Sequence, residues 1–459
     1  MDVPKKAPII ATFLKGEAVS AFWNFLSKAI ALLNTFLTIT SLSLYQYGVF
    51  QLLLSFAGIS SDVLNLGSSV VSNEISRSVG ENRASDAKRI FLQYSFVRIF
   101  LIIILWVIVF FGATYIFSSY DIDFVKDMRL ISFLFISEGI FLIIRTLAMA
   151  RLQFGLIAQR LTINKAVQAV ILVYFFLQDD LGLKQLILSI IIASAVSVLC
   201  VVGRFFKIYS EWNTVSISSK NLLWDLFVAY GTWDIARQFV NRAVFRIKPW
   251  LIKLFVGTEA VAIYSIAETM ITALQDILPS TTLQSLVPMW VKDRNLSIKM
   301  FSYGIKYFLL LGIIVALVAL AIVPPVVHIF FSKYNLSLQY FYVMLINLPI
   351  FAAGIIIGNY IIAFREQKYL LVLHLTRAVL TLGIIALTLP FIGLWGLAIE
   401  FVLVPLMMVI MNYMYTKNQD KGFHFDFKVI FGFNQEDKEV LRKASSIIKG
   451  WFRRILPSF

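Results

Sequence analysis

The strongest constraint on this chain is a succession of long apolar stretches, most of them close to the roughly 20 residues a helix needs to cross a hydrocarbon core. They fall near 20–42, 47–72, 90–117, 128–150, 164–178 and 185–206, then 260–288, 303–331, 338–363, 369–390 and 393–415. Hydrophobic residues make up 59% of the 459 positions, too many for a soluble fold of this size. The first stretch follows the basic start "MDVPKKAPII", is of full length and lacks a small-residue cleavage site, so it is expected to remain as the first span. One cysteine, Cys200, excludes a disulfide framework, and His328, His374 and His424 have no ligand spacing. No metal and no cofactor are expected, apart from candidate H+ or Na+ coupling.

A formal charge of +15 would point to nucleic acid in a soluble protein. In a membrane protein it sets topology instead, and no nucleic-acid partner is expected. The loops after the second, fourth, sixth, eighth and tenth spans are rich in Lys and Arg, as are both tails. The alternate loops are short and nearly free of them, which puts both termini in the cytoplasm. Residues 203–222 and 291–300 then lie on the same side, so an even number of spans must separate them. Residues 260–288 supply one. The other must include "NRAVFRIKPWLIKLF", residues 241–255, although Arg242, Arg246, Lys248 and Lys253 would make a hydropathy plot reject it. The seventh span is therefore expected near 235–257, with Lys253 at its outer rim.

An internal repeat supports that reading. Arg151 and Gln153 stand 214 residues before Arg365 and Gln367, and the same spacing pairs Thr162 with Thr376 and Asp62 with Asp276. It also joins Gly182-Leu183 to Gly396-Leu397, and Lys28 of span one to Arg242 of span seven. Six spans is an even number, so the halves are parallel repeats about an axis along the membrane normal. The expected fold is an all-α polytopic membrane protein with about 12 transmembrane helices in two six-helix repeats around a central cavity. Its parts are a cytoplasmic N-terminus (1–19), a first bundle (20–206), a cytoplasmic linker leading into span seven (207–234), a second bundle (235–415) and a basic tail (416–459). In the tail, apolar residues between Val440 and Leu456 recur at helical spacing among lysines and arginines, a pattern suited to anionic membrane lipids. Packing against the protein's own cytoplasmic loops is the competing reading.

Three stretches carry a family resemblance: "LYQYGVFQLLLSFAGISSDVLNLGSS", "RIKPWLIKLFVGTEAVAIYSIAETM" and "FIGLWGLAIE". In order and spacing they resemble the second, seventh to eighth, and twelfth spans of polysaccharide-biosynthesis flippases, the O-antigen or lipid-linked oligosaccharide flippases. These share a superfamily with multidrug and toxic compound extruders and the lipid II flippase. The resemblance implies translocation of a polyprenyl-diphosphate-linked glycan from the inner to the outer leaflet of a bacterial cytoplasmic membrane. It also implies contact with other polysaccharide-assembly membrane proteins. Many relatives carry an aspartate two residues after the span-seven arginine. Here Arg246 is followed by Ile247 and Lys248, which makes the site more cationic.

A central Arg or Lys costs roughly 2.5–3.5 kcal/mol on insertion scales, so such residues persist where they line water or meet partners. Lys28, Arg242, Arg246, Lys248 and Arg377 are the candidate contacts for a diphosphate headgroup, arginine offering forked donors and lysine a mobile charge. Snorkelling is the alternative for Lys28 and Arg377, and Arg145 reads as an anchor near the cytoplasmic loop. A structural Arg246–Trp250 cation–π pair is the alternative for Arg246. Glu268 and Glu400 are candidate ion-coupling groups, and Asp62 and Asp276 candidate counter-charges. An ion-coupled multidrug exporter of the same fold is the second functional reading; it would want acids where span one carries Lys28. Outer loops of a few residues leave no room for a catalytic site, so no enzymatic activity is expected.

Overall fold

The computed structural model describes residues 9–210, 212, 215–216, 221–227, 232–278, 294–363, 367–419, 432–435, 437–438 and 442. Among these residues all regular structure is helical. The first half contains α1 (Ile9–Ser41), α2 (Leu44–Asn65), α3 (Ser68–Gly80), α4 (Ala84–Ile116), α5 (Ile122–Ile131), α6 (Phe133–Ala150), α7 (Phe154–Leu177) and α8 (Leu183–Ser210). A short α9 (Leu222–Leu226) leads to α10 (Thr232–Phe255) and α11 (Thr258–Gln275). The second half continues with α12 (Arg294–Phe330), α13 (Leu336–Met344), α14 (Asn347–Ala363), α15 (Gln367–Ile392) and α16 (Leu394–Gln419). Ten helical stretches among the described residues are long and apolar enough to cross a membrane. The two further crossings are α10 and α11, whose charges lower their hydropathy.

The repeat reaches down to helix ends. Ser41 and Phe255 close α1 and α10, 214 residues apart, and Leu44 and Thr258 open α2 and α11 at the same spacing. Ile116 and Phe330 close α4 and α12, while Ile122 and Leu336 open α5 and α13. Even the interruptions correspond: Ser132 breaks α5 from α6, and Ile346, 214 residues on, breaks α13 from α14. Packing repeats as well, since α1 on α7, α4 on α6 and α6 on α8 recur as α10 on α15, α12 on α14 and α14 on α16. The chain thus forms two parallel six-crossing bundles, which meet where α2 lies against α10 and α11.

In hydrocarbon a broken helix must still satisfy its backbone. At the α2–α3 break Gly67 adopts φ +74°, a left-handed conformation that glycine takes without strain. The guanidinium of Arg98, buried on α4, donates to the carbonyls of Val63 (3.4 Å) and Leu66. At the start of α2, Ser43 and Gln46 form a reciprocal capping box.

The short-loop end of the interface is sealed. Phe36 packs edge-on against Phe331 (5.4 Å) and Tyr47 against Tyr334 (5.8 Å), while the Lys333 ammonium donates to the carbonyls of Thr40 (2.7 Å) and Leu42. At the other end, residues of the tail dock on α12. The Asp437 carboxylate accepts from the Lys306 ammonium (2.6 Å) and the Tyr307 hydroxyl (2.7 Å). Most of the expected amphipathic segment, and Arg365 of the repeat pairing, lie outside the described residues.

At the seal, α2 and α11 touch backbone to backbone: a Cβ on Gly48 would stand 2.0 Å from the Thr258 carbonyl oxygen. Gly48→Ala must therefore push the bundles apart and is expected to cost about 1–3 kcal/mol, the range for overpacking. A lowered unfolding midpoint in detergent checks it; an unchanged midpoint would refute the contact.

Candidate functional site

The 24 residues of α10 form one helix despite their charge, because each described cation faces a partner. Arg242 and Arg246 are one turn apart and so share a face. That face turns towards α2, where Asp62 receives both: Arg242 Nη1 donates to Oδ1 (3.1 Å) and Arg246 Nε to Oδ2 (3.1 Å). One turn before Asp62, Gly58 leaves the space in which the Arg246 guanidinium lies; a Cβ there would be 2.4 Å from its Cζ. Ser55, a further turn back, donates its hydroxyl to the Arg246 carbonyl, close to the break in the hydrogen-bond ladder at Pro249. The Arg246–Trp250 cation–π pair is not formed: Trp250 stacks on Phe117 instead (6.0 Å, 24°).

These charges remain accessible. The Arg242 and Arg246 side chains are 32% and 42% exposed, so a ligand can reach them. Two guanidinium groups on one carboxylate leave one positive charge in excess.

Lys28 and Asp276 form the repeat-related pair. The Lys28 ammonium lies 3.6 Å from Asp276 Oδ2, and both side chains are exposed. Asp62 and Asp276 thus both act as counter-charges across the bundle interface, each serving the cation of the opposite half.

Lys248 is elsewhere. It faces away from Asp62, into the second bundle, and its ammonium donates to Glu400 Oε2 at 2.7 Å; both side chains are only 4% exposed. Thr381 donates to the other Glu400 oxygen (3.0 Å). Lys248 and Glu400 line a cavity of about 440 Å³ together with Glu268, Arg377 and Phe245. The Arg377 guanidinium sits over the Phe245 ring (4.8 Å), and Glu268 forms no hydrogen bond or ion pair among the described residues. The five cations expected at one site therefore divide: Arg242, Arg246 and Lys28 on the bundle interface, Lys248 and Arg377 in the second bundle. Lys253, at the short-loop end, covers the Tyr120 ring (3.0 Å).

Sequence reasoning missed Arg98, Arg160 and Lys165 as intramembrane groups. The apolar stretch of span five starts at 164, whereas α7 begins at Phe154. Arg160, Asn164 and Lys165 within its first turns lower the local hydropathy and hide the helix start.

The profile of the family described as polysaccharide biosynthesis protein matches residues 13–293. The chain belongs to this family. A search of curated proteins finds no match to the sequence. Among solved structures, an inward-facing multidrug resistance MATE family transporter of the MOP superfamily aligns with TM-score 0.70 at 13% identity, covering 88% of this chain and 98% of its own. The lipid II flippase MurJ in an inward closed conformation aligns with TM-score 0.68 at 11% identity, covering 97% and 100%. A MOP superfamily transporter from Pyrococcus furiosus, described as having a binding pocket of reverse polarity, aligns with TM-score 0.63 at 14% identity, covering 89% and 96%. The chain has the two-repeat fold of MOP superfamily transporters, and family and fold together support a flippase or exporter.

The Lys248–Glu400 pair allows a clean test, because breaking a buried ion pair leaves an uncompensated charge. Lys248→Met and Glu400→Gln are each expected to lower stability by about 3–5 kcal/mol, and the double variant to recover most of the loss. Unfolding midpoints of the three variants in detergent measure the coupling. Additive losses would mean that the two side chains do not interact.

Proposed function

We propose that the chain moves a polyprenyl-diphosphate-linked oligosaccharide from the inner to the outer leaflet of a bacterial cytoplasmic membrane, by alternating access, for cell-surface polysaccharide synthesis such as that of O-antigen. Membership of the polysaccharide biosynthesis family supports the glycan. The observation that carries the diphosphate is the pair of accessible guanidinium groups on Asp62, with one positive charge to spare.

Phosphate oxygens match the forked donors of arginine better than the single carboxylate does. An arriving diphosphate takes over donors from Asp62, so the headgroup and the α2–α10 contact compete for the same groups. Lys28, held loosely by Asp276 in an exposed position, is free to turn towards the same ligand. The isoprenoid tail stays in the bilayer while the headgroup passes between the bundles, and no bond is made or broken.

In this reading the basic loops and both termini face the cytoplasm, and the sealed short-loop end faces outwards. Residues 20–206 and 235–415 form the moving bundles, joined by 207–234. The amphipathic segment of the tail lies against anionic lipids, with Asp437 fastening the tail to Lys306. Neighbouring polysaccharide-assembly proteins are the natural membrane partners. For energy coupling, Glu400 is taken by the chain's own Lys248, which leaves Glu268 as the carboxyl able to accept a proton or Na+. A multidrug exporter for organic cations fits the interface poorly, since its accessible charge is positive.

Arg242→Ala and Arg246→Ala are each expected to abolish complementation of a strain lacking its lipid-linked oligosaccharide flippase, with normal amounts of protein in the membrane. Normal complementation by both would remove the diphosphate site. Energy-dependent efflux of cationic dyes, unaffected by glycolipid, would favour the exporter.

A further inference from the structure

The first bundle holds its own polar cavity of about 440 Å³, between α1, α2, α6, α7 and α8, with Thr269 of α11 reaching in from the other bundle. Its charged lining residues are Arg160, Lys165 and Glu138. Glu138 is already committed: one of its oxygens, Oε1, accepts from Arg160 Nη2 and from the Ser194 hydroxyl (2.7 Å), and Arg160 also donates to Ser194 (3.0 Å). Arg160 is almost wholly buried, 3% exposed, yet its Nε has no partner. The Lys165 ammonium forms no hydrogen bond or ion pair among the described residues. Asn34 fixes the wall by donating to the Lys165 carbonyl (3.0 Å) and to Gln168 Oε1 (3.4 Å).

Two cations thus share one acid, and a full positive charge with free donors lines a cavity inside the membrane. Such a charge is costly unless something meets it. The size lies within the roughly 300–1,000 Å³ of small-molecule pockets. The amides of Asn34, Asn164 and Gln168 give the wall the donors and acceptors that sugar hydroxyls use. One excess charge beside a fixed glutamate suits a monoanion; a diphosphate would repel Glu138 and is better served by Arg242 and Arg246.

We propose that this cavity is a second, separate binding site that takes the carboxylate of an acidic sugar, with the Lys165 ammonium as its counter-ion. The chain would then be selective for glycans that contain uronic acid residues. That selectivity rests on the flippase reading, whereas the binding itself does not.

Calorimetry on the purified full-length protein tests it, with a hyaluronan tetrasaccharide, its carboxyl-reduced counterpart and inorganic pyrophosphate as probes. The tetrasaccharide is expected to bind at least about tenfold more tightly than the reduced sugar, the worth of a charge-assisted hydrogen bond. Lys165→Met should erase that preference and leave pyrophosphate binding intact; Arg242→Ala should do the reverse. Lys165→Arg should keep the preference, and unchanged melting temperatures exclude misfolding. Equal affinity for the two sugars, no binding of either, or a preference that survives Lys165→Met would each overturn the proposal. Uronate binding without pyrophosphate binding would uphold it and count against the diphosphate site instead.

Discussion

The cost of holding a cation in hydrocarbon governs this structure. Every intramembrane Lys and Arg has to be neutralised, wetted or given carbonyl oxygens. The protein uses all three solutions. Lys248 with Glu400 is a dry pair inside the second bundle, Arg160 with the partly exposed Glu138 lines a cavity of the first, and Arg98 is satisfied by carbonyls at a helix break. Arg242, Arg246 and Lys28 are paired but wet, and all three pairs cross between bundles. Dry pairs hold a bundle together, since breaking one strands a charge. Wet pairs contribute little to stability and can be exchanged for a ligand's charge. Water access rather than residue type therefore separates exchangeable pairs from fixed ones.

Symmetry explains where the wet pairs are and why they differ. Lys28 with Asp276, and Arg242 with Asp62, are one pair seen twice, each joining the first crossing of one half to the second crossing of the other. The position equivalent to Arg246 is Leu32, so only one half carries the additional guanidinium. A symmetric interface with equal charges would be neutral. The single replacement leaves an excess positive charge on the α10 side, beside Gly58, whose lack of a side chain makes the room for it.

Much of this was legible in the sequence. The parity of the basic loops required a seventh crossing over 241–255, and the 214-residue spacing identified Lys28, Arg242, Asp62 and Asp276 as counterparts before any contact was known. Which cation meets which acid was not legible. Arg242, Arg246 and Lys248 lie within two turns of α10, but 3.6 residues per turn sends Lys248 to another face, towards an acid on the last crossing. The distant partner decides the outcome, and a spacing rule does not reveal it. Arg160 and Lys165 were hidden for another reason: polar residues near a helix end look like loop to a hydropathy window, whether they face water or a cavity.

The two intrabundle cavities carry that point furthest. They lie between equivalent helices, and Asn34 of one corresponds to Lys248 of the other. Their charges nevertheless share no ancestry by position: Arg160, Lys165 and Glu138 correspond to His374, Val379 and Ala352, while Glu400 and Arg377 correspond to Leu186 and Ile163. The repeat has kept backbone, breaks and packing, and has replaced the chemistry of each cavity independently. One has two cations and one acid, the other two cations and two acids. The two halves of one backbone therefore present different charges within the membrane, which identical repeats could not do.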